Sequence, residues 1–245
     1  MQRSTAMRIL TWNILHGGGR ERSPRILLEI LDLRPDVVVI TEARRRFAGQ
    51  LAGAFADAGL CHALGPEAPD RINGVMILSR EPLQPVPCPD VPPALAPRWL
   101  EAALPSRSIH ICGVHLPEAG RAGPHAAGWR HLLRRARAQR DARQIVAGDL
   151  NTWRDGPAPR PRNGASATNL GRLAALGYAD AWLCAGAGGP SNTWSGCFGE
   201  AFRLDYVLVS RPLAQSVRAA RVLPFGGRDK LSDHGALVVD ISETP

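Results

Sequence analysis

Two short stretches far apart in the chain, GDLN at residues 148–151 and LSDHG at 231–235, set an Asp-x-Asn and an Asp-His pair against apolar runs that read as buried strands. Carboxylates, a carboxamide and an imidazole are the groups that can hold a hard cation, orient a water and stabilise the charge that develops on a phosphate ester. Toward the N-terminus, Asn13 ends RILTWN, Glu42 ends DVVVITE and His115 lies in ICGVHLP, while Asp205 lies in FRLDYVLVS. Each sits in or at the end of a β-branched or leucine-rich run, where a central strand delivers a side chain to one edge of a sheet. A single polar residue in such a place is easily structural; a whole set of them is the signature of a site.

The elements that must position these residues follow from the apolar runs. MRILTWN reads as a strand, SPRILLEILDLRP as an amphipathic helix with Ser23 as N-cap and Pro24 at its first position, and DVVVITE as a second strand. NGVMILSR, WLEAAL and SIHICGVHL continue the sheet, and the proline-rich EPLQPVPCPDVPPALAP among them reads as a loop or edge segment. An arginine-rich helix precedes QIVAGDLN, another helix covers TNLGRLAALG, and FRLDYVLVS, VRAARVLPF and GALVVDI close the chain. Composition by itself supports only a mixed α and β chain.

A length of 245 residues suits one large α/β domain spanning residues 1–245, since no composition shift marks a second. The N-terminal MQRSTAMRIL has no apolar core of a signal peptide, and no run approaches a membrane span, so the expectation is a cytoplasmic enzyme without integral membrane association. Nothing points to an obligate protein partner. The five cysteines, Cys61, Cys88, Cys112, Cys184 and Cys197, are scattered and lack CxxC spacing, and read as isolated thiols in a reducing compartment, neither a disulfide framework nor a zinc site. The net charge of +8 favours a polyanionic partner, although Lys230 is the only lysine and the arginine bias also fits GC-rich coding. Clustering is more telling: Arg44, Arg45 and Arg46 directly follow Glu42, and Arg130, Arg134, Arg135, Arg137, Arg140 and Arg143 fall on what reads as one helix, either a solvated face or a phosphate-binding one. The HGGGR turn at 16–20 lacks a following Gly-Lys-Ser/Thr and reads as a flexible loop near the site.

The ordered set Asn13, Glu42, His115, Asp149-x-Asn151, Asp205, Asp233-His234 resembles the endonuclease/exonuclease/phosphatase superfamily, which includes deoxyribonuclease I, exonuclease III-type AP endonucleases, inositol polyphosphate phosphatases and neutral sphingomyelinases. FRLDYVLVS followed by LSDHGALVV carries the resemblance most specifically, and the match runs almost end to end. The resemblance implies a four-layer α/β sandwich, two packed mixed β-sheets with helices on the outer faces and the active site where the sheets open at one edge.

It also implies roles. Glu42 would bind the metal, with Asn13 and Asp233 completing its surroundings; oxygen donors of this kind favour Mg2+, with Mn2+ as the alternative, over Zn2+. Asp149 would orient or deprotonate the attacking water and Asn151 would donate to a phosphate oxygen, whereas an isolated Asp-x-Asn is as readily a turn-forming pair. His234 would contact the phosphate or transfer a proton with Asp205 fixing its ring, and His115 would touch the phosphate from the facing strand. Asp180 in GYADAW reads as structural. Arg44 and Arg45 are candidate phosphate contacts, and Trp194 and Phe202 fall where AP endonucleases carry the aromatic walls of a sugar pocket, unless they simply pack. FRLDYVLVS leans toward the exonuclease III-type branch, whereas His115 in VHLP agrees with the deoxyribonuclease I, phosphatase and sphingomyelinase branches. The expected activity is metal-dependent hydrolysis of phosphodiesters in nucleic acid, the alternative being inositol phosphates, lipid headgroups or other small phosphate esters. A catalytically dead anion-binding module is the reading from another class.

Overall fold

The structure is a computed structural model that describes residues 6–118, 122–153, 164–188, 191–223 and 230–242. In chain order its elements begin with β1 (Ala6–Asn13), α1 (Gly19–Asp32), β2 (Val37–Ala43), α2 (Arg45–Asp57), β3 (His62–Leu64), β4 (Gly74–Ser79) and β5 (Gln84–Pro85). There follow β6 (Trp99–Leu104), β7 (Ile109–His115), α3 (Ala122–Gln139), β8 (Gln144–Asp149), α4 (Gly164–Ala175), β9 (Ala179–Asp180) and α5 (Ala181–Cys184). The last are β10 (Trp194–Ser195), β11 (Ala201–Phe202), β12 (Asp205–Val209), α6 (Arg211–Ala214), β13 (Val217–Val222) and β14 (Leu237–Ser242).

Two six-stranded sheets result, in the orders β13-β14-β1-β2-β4-β3 and β5-β6-β7-β8-β12-β9. Each is mixed: β1 runs parallel to β2, and β7 parallel to β8, while their other neighbours are antiparallel. Both faces of the central strands are covered, which is why VVVI and QIVA read as continuous apolar runs instead of alternating ones. Strand alternation sorts them by face. Val37 and Val39 of β2, Ile9 of β1, Ile111 of β7 and Ile145 of β8 pack between the sheets. Val38 and Ile40 turn outward onto Ile26, Ile30, Phe47 and Phe55 of α1 and α2. Cys112, Val114 and Val146 turn outward onto Trp129 and Leu132 of α3 and Leu170 and Leu173 of α4. The architecture is the expected four-layer sandwich. The sheets approach so closely at Gly113 that a Cβ there would stand 2.7 Å from the Val75 side chain.

Three local expectations are corrected. Helix α1 begins at Gly19, not at Pro24, so Ser23 is no N-cap; it lies inside the helix and its hydroxyl donates back to the carbonyls of Gly17 and Gly19. Gly19 and Arg20 of the HGGGR stretch therefore belong to the helix. The arginine-rich helix ends at Gln139, leaving Arg140 and Arg143 beyond it, and it is not simply a solvated face. Arg135 reaches inward to the buried Glu101, Nε to Oε1 at 2.9 Å and Nη2 to Oε2 at 2.6 Å, where Trp99 Nε1 also donates at 3.0 Å. The end of VRAARVLPF, from residue 224, lies outside the described residues.

The Glu101 side chain is 2 % exposed and that of Arg135 19 %, so removing one partner leaves a buried charge uncompensated. Arg135→Met is expected to cost about 3–5 kcal/mol in urea unfolding, with most of it regained in Arg135→Met/Glu101→Met. A loss in the single variant no larger than that of an exposed ion pair would contradict this reading.

Candidate active site

Period-two alternation that lines the inter-sheet core with Ile9, Ile111, Ile145 and Val207 carries on to polar residues at one end of the same faces. Asn13 follows Ile9 in phase on β1, His115 follows Ile111 on β7, Asp149 follows Ile145 on β8, and Asp205 precedes Val207 on β12. Register brings them level, with His115 opposite Asp149 and Asp205 opposite Asp149. The backbone before Asp149 passes so near β7 that a Cβ on Gly148 would lie 1.9 Å from the Val114 carbonyl oxygen, so only glycine fits there, at φ 137°.

Asp149, 1 % exposed, is the hub. Its Oδ2 accepts from Asn13 Nδ2 at 3.0 Å and stands 3.8 Å from His115 Nε2 and 4.0 Å from His234 Nε2, while Oδ1 accepts the Asn151 N–H at 2.8 Å. Asn151 directs its amide to the Leu116 carbonyl at 2.8 Å and, at 3.4 Å, to Asp149 Oδ2. His234 Nδ1 lies 2.7 Å from Asp205 Oδ2, with both residues buried. The backbone of the SDH stretch is pinned as well: Ser232 Oγ donates to the Asn13 carbonyl at 2.6 Å and Trp12 Nε1 donates to the His234 carbonyl at 2.9 Å.

Glu42 enters from a break in register, between Thr41 and Ala43, and has a left-handed backbone at φ 55°. Asn151 is left-handed too, at φ 45°. Non-glycine residues in this region carry strain that persists where surrounding contacts over-determine it. The Glu42 carboxylate is so determined: Oε1 accepts from Asn13 Nδ2 at 3.3 Å, and Oε2 accepts from the His16 N–H and from Asn73 Nδ2, each at 2.8 Å.

Burial, then repulsion from Asp205, pushes the Asp149 carboxyl up to about 7 against the pull of His234 and the Asn151 N–H. Burial works against a charge on His234, but Asp205, followed by Asp149 and Asp233, more than offsets it and lifts the imidazole to about 9. His115 is held well below the usual histidine range, first by burial and then by Arg98. Asp149, Asp205 and His234 present ligand atoms within 4.8 Å of one another, and Asp205 Oδ1 is buried with no hydrogen-bond partner. Carboxylate oxygens crowded in this way, one of them orphaned, suit a divalent cation.

Other residues named from the sequence take more peripheral places. Asp233 Oδ2 accepts from Trp194 Nε1 at 3.0 Å, and Asn13 turns its Oδ1 to the Leu15 N–H at 3.0 Å, so the amide nitrogen faces the two carboxylates. Arg44 is drawn to Asn73, Nε to Oδ1 at 3.1 Å, whereas Arg45 is exposed at the start of α2. Trp194 and Phe202 stack with ring centroids 5.7 Å apart, and Trp153 continues the stack onto Phe202 at 4.6 Å. Asp180 pairs with Arg203 and caps α5. Four participants were not anticipated: His16, Asn73, Trp153 and Arg98, whose Nη1 lies 3.0 Å from His115 Nδ1. Arg98 ends a proline-rich segment with no periodicity, and only the position of Asn73, just before the GVMILS strand, could have marked it.

Both shifted groups of the Asp149 and His234 pair hold protons more tightly when folded, so stability falls as pH rises. The Asp149 penalty grows between pH 3.8 and about 7, and the His234 contribution is complete below 6.5 and lost through about 9. In chelator, Tm is expected to fall between pH 6.5 and 9, and His234→Gln to flatten that fall. A Tm in the parent protein that is level across this window would contradict the pairing.

The sequence matches the Endonuclease/Exonuclease/phosphatase family over residues 10–234. No curated protein matches it. Among solved structures, a Neisseria 3′ phosphatase, NExo, bound to product DNA hairpin is 20% identical with a TM-score of 0.77, covering 96% of this chain and 99% of that one. An AP endonuclease from Archaeoglobus fulgidus is 19% identical with a TM-score of 0.77, covering 95% and 98%. An endonuclease/exonuclease/phosphatase from Beutenbergia cavernae is 24% identical with a TM-score of 0.68, covering 97% and 71%. With carboxylates, amides and histidines gathered around Asp149, this chain belongs to the endonuclease/exonuclease/phosphatase family of hydrolases.

Proposed function

We propose that the protein is a divalent-metal-dependent phosphodiesterase acting on nucleic acid, Mg2+ being the ion that its oxygen donors favour and Mn2+ the alternative. The observation that carries the reading is the buried Asp205–His234 pair, whose free Nε2 faces Asp149 4.0 Å away, set beside the Trp153–Phe202–Trp194 stack. Glu42 would hold the cation beside the carboxylate cluster at Asp149, with Asn13 orienting the Glu42 and Asp149 carboxylates; when bound, the ion would neutralise phosphate charge and the negative charge developing on the ester oxygens. Asp149, raised toward neutrality, is suited to accept the proton of an attacking water. His234, held cationic by Asp205, donates to a phosphate oxygen, and Arg98 with neutral His115 offers further donors across the pocket. Asn151 reaches phosphate by giving up its 3.4 Å contact with Asp149.

The nucleic-acid preference rests on the aromatic stack and the basic balance of the chain. The ring faces of Trp153 and Trp194 turned away from Phe202 offer a platform for bases, worth about 1–3 kcal/mol for each base stacked. Phe198, in the turn between β10 and β11, is 89 % exposed. The DNA product bound to the Neisseria relative and the AP-endonuclease activity of the Archaeoglobus one point the same way. Among the described residues no helix is long and apolar enough to cross a membrane.

Turnover of a phosphodiester is expected to require Mg2+ or Mn2+, to vanish in chelator and to be severely reduced in Glu42→Ala; full activity in chelator would defeat the metal assignment. His234→Ala should lower kcat by about two to four orders of magnitude with an unchanged circular dichroism spectrum. Near-normal turnover in that variant would leave the Asp205–His234 pair a structural contact.

Substrate class is tested by salt. Glu42→Ala protein is expected to bind labelled duplex DNA with an affinity that falls steeply as salt rises, and replacement of Arg44, Arg45 and Arg46 should flatten the slope by roughly one unit for each phosphate no longer neutralised. Absence of DNA binding at low salt, together with turnover of an inositol phosphate or a chromogenic ester, would replace this reading with the small-ester one.

A further inference from the structure

A second set of metal-binding side chains converges on the outer side of the β5-containing sheet, away from the site around Asp149. Cys88 and Asp90 lie in the proline-rich segment that follows β5, and His131 faces them from α3. The Cys88 Sγ stands 3.6 Å from His131 Nε2 and 3.3 Å from Asp90 Oδ1, and the three ligand atoms all lie within 4.8 Å of one another. His131 is buried and Cys88 half-buried. Trp99 packs edge-on against the imidazole, centroids 4.5 Å apart, so the ring is held in place.

We propose that Cys88, Asp90 and His131 form a Zn2+ site that ties the proline-rich segment to α3. Zn2+ accepts thiolate, imidazole and carboxylate in tetrahedral geometry with a water as fourth ligand, whereas Mg2+ and Ca2+ take oxygen donors. Bonds of about 2.0–2.3 Å to a tetrahedral zinc place ligand atoms roughly 3.5 Å apart, and the two separations from Cys88 sulfur bracket that value. Scattered cysteines without CxxC spacing concealed this set, because Asp90 is two residues from Cys88 but His131 reaches it only through the fold.

The neighbouring charged groups have defined partners. Glu101 is engaged by Arg135 and Trp99. Arg134, with a side chain 59 % exposed, holds the outer atoms of the set, Asp90 Oδ2 at 2.6 Å and His131 Nδ1 at 2.8 Å. A cation on Nε2 requires the proton on Nδ1, so Arg134 must release the ring while keeping Asp90; it is a competitor that solvent exposure leaves free to move. Burial, followed by Glu101, pushes the Cys88 thiol up to about 12, and burial lowers the His131 imidazole. Binding therefore forms the Zn–S bond as the thiol proton passes to solvent, without any change of oxidation state, and tightens with pH.

Co2+ is the probe, added to full-length protein carrying Cys61→Ser, Cys184→Ser, Cys197→Ser and Glu42→Ala. One equivalent is expected to produce a near-ultraviolet thiolate-to-cobalt band that Zn2+ abolishes by displacement. Cys88→Ser should lose the band, His131→Gln should weaken binding by about tenfold or more, and Arg134→Ala should tighten it. Zn2+ should also raise Tm by more in this background than in its Cys88→Ser derivative. Absence of the band, its persistence in Cys88→Ser, or unaltered affinity in His131→Gln would overturn the site; circular dichroism on each variant separates loss of ligand from loss of fold.

Discussion

A carboxylate buried where two sheets meet sets the terms for everything around it. Asp149 is level with His115 on one side and Asp205 on the other, and a charge so placed is tolerated only when donors converge on it. Asn13 comes from the other sheet to donate to it, the Asn151 N–H caps it from the following turn, and His234 supplies positive charge from a segment much later in the chain. Each donor is pinned in turn: His234 by Asp205 and by Trp12, Asn13 by the Leu15 N–H. The site is thus a closed set of mutual constraints between two sheets, with Asn13, His115, Asp149 and Asp205 on strands and Asn151 and His234 on connecting segments pinned by hydrogen bonds.

Strain and close approach are concentrated in the same place. Gly148 lets β8 press against β7 one residue before the hub, while Glu42 and Asn151 adopt left-handed backbone. Three hydrogen-bond donors hold Glu42 despite that cost. His16 reaches it from the glycine turn that opens α1, so the stretch expected as a flexible loop near the site serves to position a carboxylate.

Arginine is plentiful in this chain, yet much of it is structural. Arg135 neutralises Glu101, Arg203 neutralises Asp180, and Arg8 ties β1 to β14 through Asp240. Arg98, which follows the proline-rich segment, instead meets the buried His115. Net charge therefore overstates the surface available to a polyanion, and position decides which guanidinium groups face one.

The sheets, and most of the residues that gather around Asp149, are legible in the order of residues alone. Continuous β-branched runs predict doubly buried strands, and residues such as Asp149 and Asp205 are visible because a polar group ends an apolar run, a violation of local patterning that marks function. Whatever depends on the relative placement of distant elements is not legible in this way. Ser-Pro is a strong local N-cap signal, yet α1 starts before it, because the preceding glycine turn is drawn to Glu42 and begins the helix earlier. The inward turn of Arg135, the service of Asn73 and Arg98, and the meeting of Cys88 with His131 have no periodic trace, since each depends on which helix or loop is laid against a given strand by the fold. Local propensity specifies elements; the packing of two sheets specifies neighbours, and chemistry is a property of neighbours.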